Sequence, residues 1–358
     1  MAEARAATTQ TTAPGTADPR RIVTQEPFNC ESALEHIDGW ITPTPLHFVR
    51  SSHVNPSIDH RGWRLRIEGE SVERPVELSL DQIRAMPSRS QVVWLECAGN
   101  HRSFFEAVQG KPVDAAQLPW NIGAVGNAEW TGVSLIDVLE LAGVRADAVD
   151  VLIESLDEGK RGRPIPIDVA RRPSTILAYA MNGAPLSADH GAPVRAIVPG
   201  WIGMASVKWV GRIEISPRPI KLATNTTTYI LEGPDYPEPV VLTEQPLKSV
   251  AALPIDAVLK AGPQTIRGFA WSPKGRIAAV EYSLDGGKSW STATLRPPIE
   301  PLAWVRWEIR WDAAPGSYRL VTRAIDEAGN RQPDAVPWNR LGYLYNAVVE
   351  HPFTVRQD

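Results

Sequence analysis

The chain has 358 residues, 22% of them charged and 43% hydrophobic, with a formal net charge of −4. At roughly 100–200 residues per domain this is length for two domains with a core each, and the slight acidity argues against a nucleic-acid binder working by bulk charge. Two cysteines, Cys30 and Cys97, exclude a disulfide framework and a cysteine-rich zinc or iron–sulfur centre, and 32 prolines argue against a helical bundle.

Residues 1–20 are rich in Ala and Thr and carry no large apolar side chain after Met1, so a disordered tail is expected, set at 1–25. Arg20 and Arg21 are adjacent, as in a twin-arginine export signal, but RIVTQEPFN supplies no apolar h-region. No stretch approaches the roughly 18 apolar residues of a membrane span. The expected compartment is therefore the cytoplasm, or the periplasm if the N-terminus has been trimmed. From about 26 to 220 the pattern is mixed. Trp63–Gly69 alternates as a half-buried strand, and Ser90–Asn100 is an apolar strand running into a small-residue turn. Ser134–Gly143 reads as a short helix with Ser134 as N-cap, an apolar face of Leu135, Val138, Leu139 and Ala142, and Gly143 as stop. Ala192–Gly200 and Ser206–Ile215 look like core strands around a glycine-rich corner. This segment is α+β.

Residues 217–255 are dense in proline and form either a surface connector or a linker. Division at 245 gives domains 26–245 and 246–358. From about 260 the pattern is β: AVEYSL and KSWSTATL flank the turn Asp285-Gly286-Gly287, and WVRWEIRW alternates with period two. Short strands at this spacing predict an immunoglobulin-like sandwich.

Cys97 stands where VVWLE meets AGNHR, and His101 and Arg102 nearby favour its thiolate, a nucleophile and a soft-metal ligand. The bland alternative is a small buried residue. A cysteine-protease reading needs a base such as His190 with an orienting third group, and the surroundings of His190 do not supply one. Zinc ligand spacings are absent. Arg50, Arg102, Arg195 and Lys208 stand beside Gly, Pro and Trp in loops or at strand ends, a distribution suited to anion recognition; singly, each reads more readily as a solvated surface charge, and their joint placement carries the reading.

WLECAGNHRSFF (Trp94–Phe105) resembles the cysteine loop of the sulfite oxidase family of molybdenum enzymes. FVRSSH (Phe48–His53), Trp120–Leu139, Ile176–Ile215 and the C-terminal YSLDGGKSW and PWNRLGYLYN are similar to further family segments, in family order, over about residues 40–350. The resemblance implies a molybdopterin-binding catalytic domain followed by an immunoglobulin-like dimerisation domain, and a molybdenum–molybdopterin cofactor with Cys97 as thiolate ligand; with no CxxCH motif and no cytochrome b5-like segment in the sequence, no haem is expected. It implies that Arg50 and Arg102 line an oxyanion pocket with Tyr229, 21 residues after Lys208, and with Trp120 as a wall; for Trp120 ordinary core packing is the alternative. His190, Arg195, Lys208, Asp157 and His53 are the implied cofactor contacts. The implied reaction is oxidation of sulfite, or a related small oxyanion, to sulfate by oxygen-atom transfer, with electrons leaving to a separate acceptor, a cytochrome or oxygen. A homodimer is implied, with no membrane or nucleic-acid partner. Trp304, Trp307 and Trp311 are candidates for its apolar interface, although alternation puts Trp304 opposite the other two, so at least one is core.

Two departures stand out. His53 follows Arg50 by three residues rather than two, and vertebrate and plant members carry WNLRG where this chain has Trp338-Asn339-Arg340-Leu341-Gly342, its arginine moved by one. The rival readings are family members acting on nitrate, sulfanes or S-oxides, and a non-catalytic dimeric scaffold.

Overall fold

The computed structural model describes residues 18–357. Within them the chain is mostly β with few, short helices; the longest, Ser103–Gln109, has 7 residues. The α+β expectation for the first half is met in part: helices are present but short, and strands dominate. No helix of the described residues is long and apolar enough to cross a membrane.

The first half holds two five-stranded sheets. In one, Ser88–Glu96 pairs antiparallel along its whole length with Val125–Ser134, which pairs with Ile176–Met181, and that strand also takes Arg195–Ile197. In the other, Arg64–Glu68 lies parallel to Val210–Ser216, which pairs antiparallel with Asp150–Ser155. Their apolar faces meet in a cluster that includes Leu65, Ile67, Val133, Ile153, Leu177 and Ile213, all fully buried. Each such side chain contributes about 1.5–3 kcal/mol.

The helix Leu135–Glu140 buries Leu135, Val138 and Leu139 as expected, and Gly143 stops it at φ 69°. Ser134 occupies the N-cap position but its side chain makes no cap bond. It is also the last residue of the strand Val125–Ser134, and Leu135 N–H bonds instead to the carbonyl of Thr175 at 2.9 Å.

Of the segment expected as tail, residues 1–17 lie outside the described residues. Its last part is ordered: Arg21–Thr24 pairs antiparallel with Asn29–Glu31, whose buried backbone takes this short edge as a partner. The proline-dense connector is folded too, with a turn of helix at Ala223–Thr226 and a small hairpin, Ile230–Leu231 against Val240–Val241.

The C-terminal part stacks a four-stranded on a five-stranded sheet around Ile266, Val280, Trp307, Leu320 and Phe353. The turn at Asp285 forms as its sequence predicts, with Gly286 and Gly287 at φ 75° and 90°. Trp304 stacks on Phe269 at 4.1 Å in a cluster with Leu34, Trp94 and Trp271 that joins the two halves. Trp304 and Trp307 are thus internal and supply no exposed interface; Trp311 is half-buried against Tyr318 and Phe353.

Candidate active site

Cys97 leaves the end of the strand Ser88–Glu96 and enters a tight turn, its N–H on the carbonyl of Ala124 (2.9 Å) and its carbonyl accepting from Asn100 N–H (2.9 Å). Its thiol borders a cavity of about 820 Å³, counted out to the open mouth, between the first two sheets and the connector. Tyr229 reaches the same wall from the connector in a left-handed conformation (φ 53°), a strained position for a bulky residue that the fold maintains here. Its ring stacks on Tyr343 at 5.3 Å and 12°, a partner that the sequence reading missed.

Basic side chains converge on this wall: Arg50, Arg161, Arg195 and Lys208. Arg195 is buried, donates to the carbonyls of His190 (3.1 Å) and Ser206 (2.9 Å), lies 4.8 Å from the Trp130 ring centroid, and leaves Nε without a partner. Burial pushes its pKa down to about 9. Lys208 donates to Ser51 Oγ (2.7 Å) and to the carbonyl of Asp189 (2.9 Å). Burial drives its pKa well below 10.5, Arg195 and Arg50 add repulsion, and Asp189 and Asp157 only partly oppose it. Both side chains thus spend their hydrogen bonds on neutral acceptors, and the basic groups of the cavity are only partly balanced by Asp157 and Asp189. A buried charge in that state calls for an anion.

His190 is buried at the inner end, with Nε2 3.3 Å from the carbonyl of Thr44. Its pKa is held well below 6.5 by burial first, then by His47, Arg195 and Lys208. His47 was not foreseen: it meets His190 edge-on at 5.3 Å, and its Nε2 is buried with no partner among the described residues. Gly191 separates His190 from the strand of Arg195 at φ 100°, where an added Cβ would press on Lys208. Asp157 lines the cavity, and His53 pairs with it at 3.3 Å from just outside the wall.

Two expectations are corrected. Arg102 is not on the cavity wall. Its guanidinium is buried and donates to the carbonyls of Leu341 (2.9 Å), Gly342 (3.2 Å) and Leu118 (2.7 Å), with Tyr343 ring 5.1 Å away. Gly99 makes room for it, since a Cβ there would overlap the guanidinium. Arg102 therefore places positive charge beside Cys97 from behind, within electrostatic reach of the thiol. Trp120 is fully buried with Phe48, Leu95 and Cys97, so core packing prevails there over the pocket-wall role. Arg340, the shifted arginine, is turned outward and pairs with Glu232 (2.9 Å) and Asp114 (3.3 Å).

Among the described residues, no cluster of three or more His, Cys, Asp or Glu side chains is arranged to hold a metal ion. A metal held by Cys97 would draw its other ligands from a bound group, and the basic cavity, in which Arg195 Nε and His47 Nε2 have no partner among the described residues, fits a large anionic, hydrogen-bonding one.

Comparison with known proteins agrees with this geometry. Residues 52–223 match the family described as "Oxidoreductase molybdopterin binding domain", and residues 240–353 match "Mo-co oxidoreductase dimerisation domain". The chain is 35% identical to mitochondrial sulfite oxidase of Mus musculus over 91% of its own length and 64% of that protein's, and 36% identical to sulfite oxidase of Gallus gallus over 91% and 76%. It spans about two thirds of the curated sulfite oxidases it matches. Nitrate reductase of Hordeum vulgare is 32% identical over 91% of this chain and 41% of that enzyme. Among solved structures, the sulfane dehydrogenase SoxCD from Paracoccus pantotrophus superposes with a TM-score of 0.85 at 27% identity, covering 97% of this chain and 92% of the other. Two matched regions in family order, together with relatives aligned across nearly the whole length, establish that the chain belongs to the sulfite oxidase family of molybdopterin oxidoreductases.

Proposed function

We propose that this protein binds molybdenum–molybdopterin through the Cys97 thiolate and oxidises sulfite to sulfate, passing the electrons to a separate acceptor. The observation that carries the reading is the open cavity in which a strand-end thiol stands among basic side chains only partly balanced by carboxylates. When bound, the group supplies oxygen-atom transfer and two-electron redox chemistry, which no side chain provides. Arg195, Lys208 and His190 hold the anionic end of the cofactor, and Asp157, with His53 behind it, accepts from its ring donors. Arg50 and Tyr229 bind and orient the sulfite oxyanion, and Arg102 stabilises negative charge at the thiolate from the buried side. Charge-assisted bonds of roughly 1.5–3 kcal/mol each make these contacts strong in a partly dry site.

The C-terminal two-sheet unit is read as the immunoglobulin-like dimerisation module, supported by the match over 240–353. Its interface lies away from Trp304 and Trp307, which the monomer already buries.

A second reading, oxidation of a sulfane, is favoured by the likeness to SoxCD along nearly the whole chain and by the outward turn of Arg340, which removes one cation from the oxyanion pocket. The test is molybdenum mass spectrometry on purified protein with sulfite-dependent ferricyanide reduction. About one molybdenum per chain with sulfite turnover supports the reading. Molybdenum with sulfite inert and a sulfane active moves the assignment to the second reading, and no molybdenum from a cofactor-competent host overturns both.

A further inference from the structure

The residue before Cys97 is Glu96, and its carboxylate is fully buried. It is met by the ammonium of Lys248, 1% exposed, from the first strand of the C-terminal sandwich, Lys248–Ala251. Trp271, the register partner of Lys248 on the neighbouring strand, donates Nε1–H to the other carboxylate oxygen at 3.0 Å. Asn100 then carries the network into the cysteine turn: its Nδ2 donates to Glu96 Oε1 (3.0 Å), its Oδ1 accepts from Ala124 N–H (3.0 Å), and its own N–H closes the turn on the Cys97 carbonyl (2.9 Å). Gln245 Nε2 donates to the Glu96 backbone carbonyl at 2.7 Å.

A buried ion pair is weak evidence for stability, because well-packed apolar residues at the same positions stabilise as much or more. What directional, charge-assisted bonds add is a single orientation. Here that orientation is imposed one residue from the thiol, and it is imposed from the C-terminal sandwich.

We infer that Lys248 is a positioning residue: through Glu96 and Asn100 it fixes the direction in which Cys97 presents its sulfur to the cavity, so the C-terminal sandwich sets the geometry of the thiolate ligand. The inference rests on the molybdenum reading above. Lys248 lines no part of the cavity and touches no residue assigned to sulfite. Its removal therefore acts on turnover per metal and leaves substrate affinity alone.

The experiment compares wild type with Lys248→Met and Trp271→Phe, the second removing one hydrogen bond to Glu96 without leaving a charge unpaired. Three quantities are read: molybdenum per chain, the thiolate-to-metal charge-transfer absorption band, and kcat and KM for sulfite per molybdenum. In Lys248→Met the expected result is a shifted band, kcat per molybdenum lower by on the order of tenfold, and KM within about twofold, since sub-ångström misplacement of a reacting group acts on the chemical step. Trp271→Phe shifts the same band by less. An unchanged band and kcat per molybdenum in both variants, whatever their melting temperatures, overturns the inference and leaves the function intact. If Lys248→Met does not fold, an unchanged band in Trp271→Phe is sufficient to overturn it. A wild type that takes up no molybdenum overturns the function first and this inference with it.

Discussion

Acid should unfold this protein through its buried histidines. His47 and His351 are buried neutral, with pKa values pushed from 6.5 down to about 4 by burial. His101 and His190 are held well below 6.5 for the same leading reason. The folded state of a depressed base refuses the proton that the unfolded chain accepts. Above 6.5 the four impose no penalty, and as pH falls from 6.5 toward 4 stability is lost at about 1.4 kcal/mol per pH unit for each of His47 and His351. At about pH 5, His47 and His351 each cost about 2 kcal/mol, and His101 and His190 push the same way. Against a total of about 5–15 kcal/mol, that places a steep loss of stability near pH 5. Urea titrations followed by tryptophan fluorescence at about pH 7.5, 6.5 and 5 measure it. His351→Leu, outside the cavity, should flatten the pH slope by one proton. Equal stability at pH 7.5 and 5, with no proton uptake on unfolding, would refute the assignment of these histidines as buried and neutral.

Cys97→Ser should retain the fold and lose molybdenum and turnover together; a fully active serine variant removes Cys97 as the ligand. Arg50→Gln should raise the KM for sulfite about tenfold or more with a smaller effect on kcat, because one charge-assisted contact of roughly 1.5–3 kcal/mol is lost. An unchanged KM takes Arg50 out of the pocket. Lys208→Met should raise the melting temperature of cofactor-free protein, since it removes a buried cation beside Arg195, yet weaken cofactor retention by about 10–100-fold; thermal melts and molybdenum content after dilution read the two halves separately. Arg340→Ala breaks exposed pairs with Glu232 and Asp114 and should change stability by less than about 1 kcal/mol, with sulfite KM unchanged. A raised KM there would put Arg340 back in the pocket.

Much of the C-terminal sandwich was legible in the sequence because its signals are local. Strict alternation in Val305–Ala313 and the positive φ demanded at Gly286 and Gly287 are properties of neighbouring residues. The cysteine turn was legible for the same reason, since the small residues Ala98 and Gly99 and then Asn100 follow Cys97 directly. Ser134 shows where a local rule yields: it reads as a cap, but strand pairing had already committed its position.

The candidate site divides along the same line. The sequence, through its family resemblance, named Cys97, Arg50, Tyr229, His190, Arg195, Lys208 and Asp157 as candidates, and all of them line one cavity. It could not determine which way a guanidinium points. Arg102 turned to three backbone carbonyls behind the thiol, Arg340 turned to Glu232 in solvent, and Trp120 went into the core, because each choice depends on acceptors far away in the chain. Nor could it show His47 against His190, Tyr343 against Tyr229, or Lys248 against Glu96, pairs brought together only when sheets stack and the sandwich docks. Residue type and neighbouring residues fix turns, alternation and chemical capacity. Direction, desolvation and long-range partnership are set by packing, and only the tertiary structure decides them.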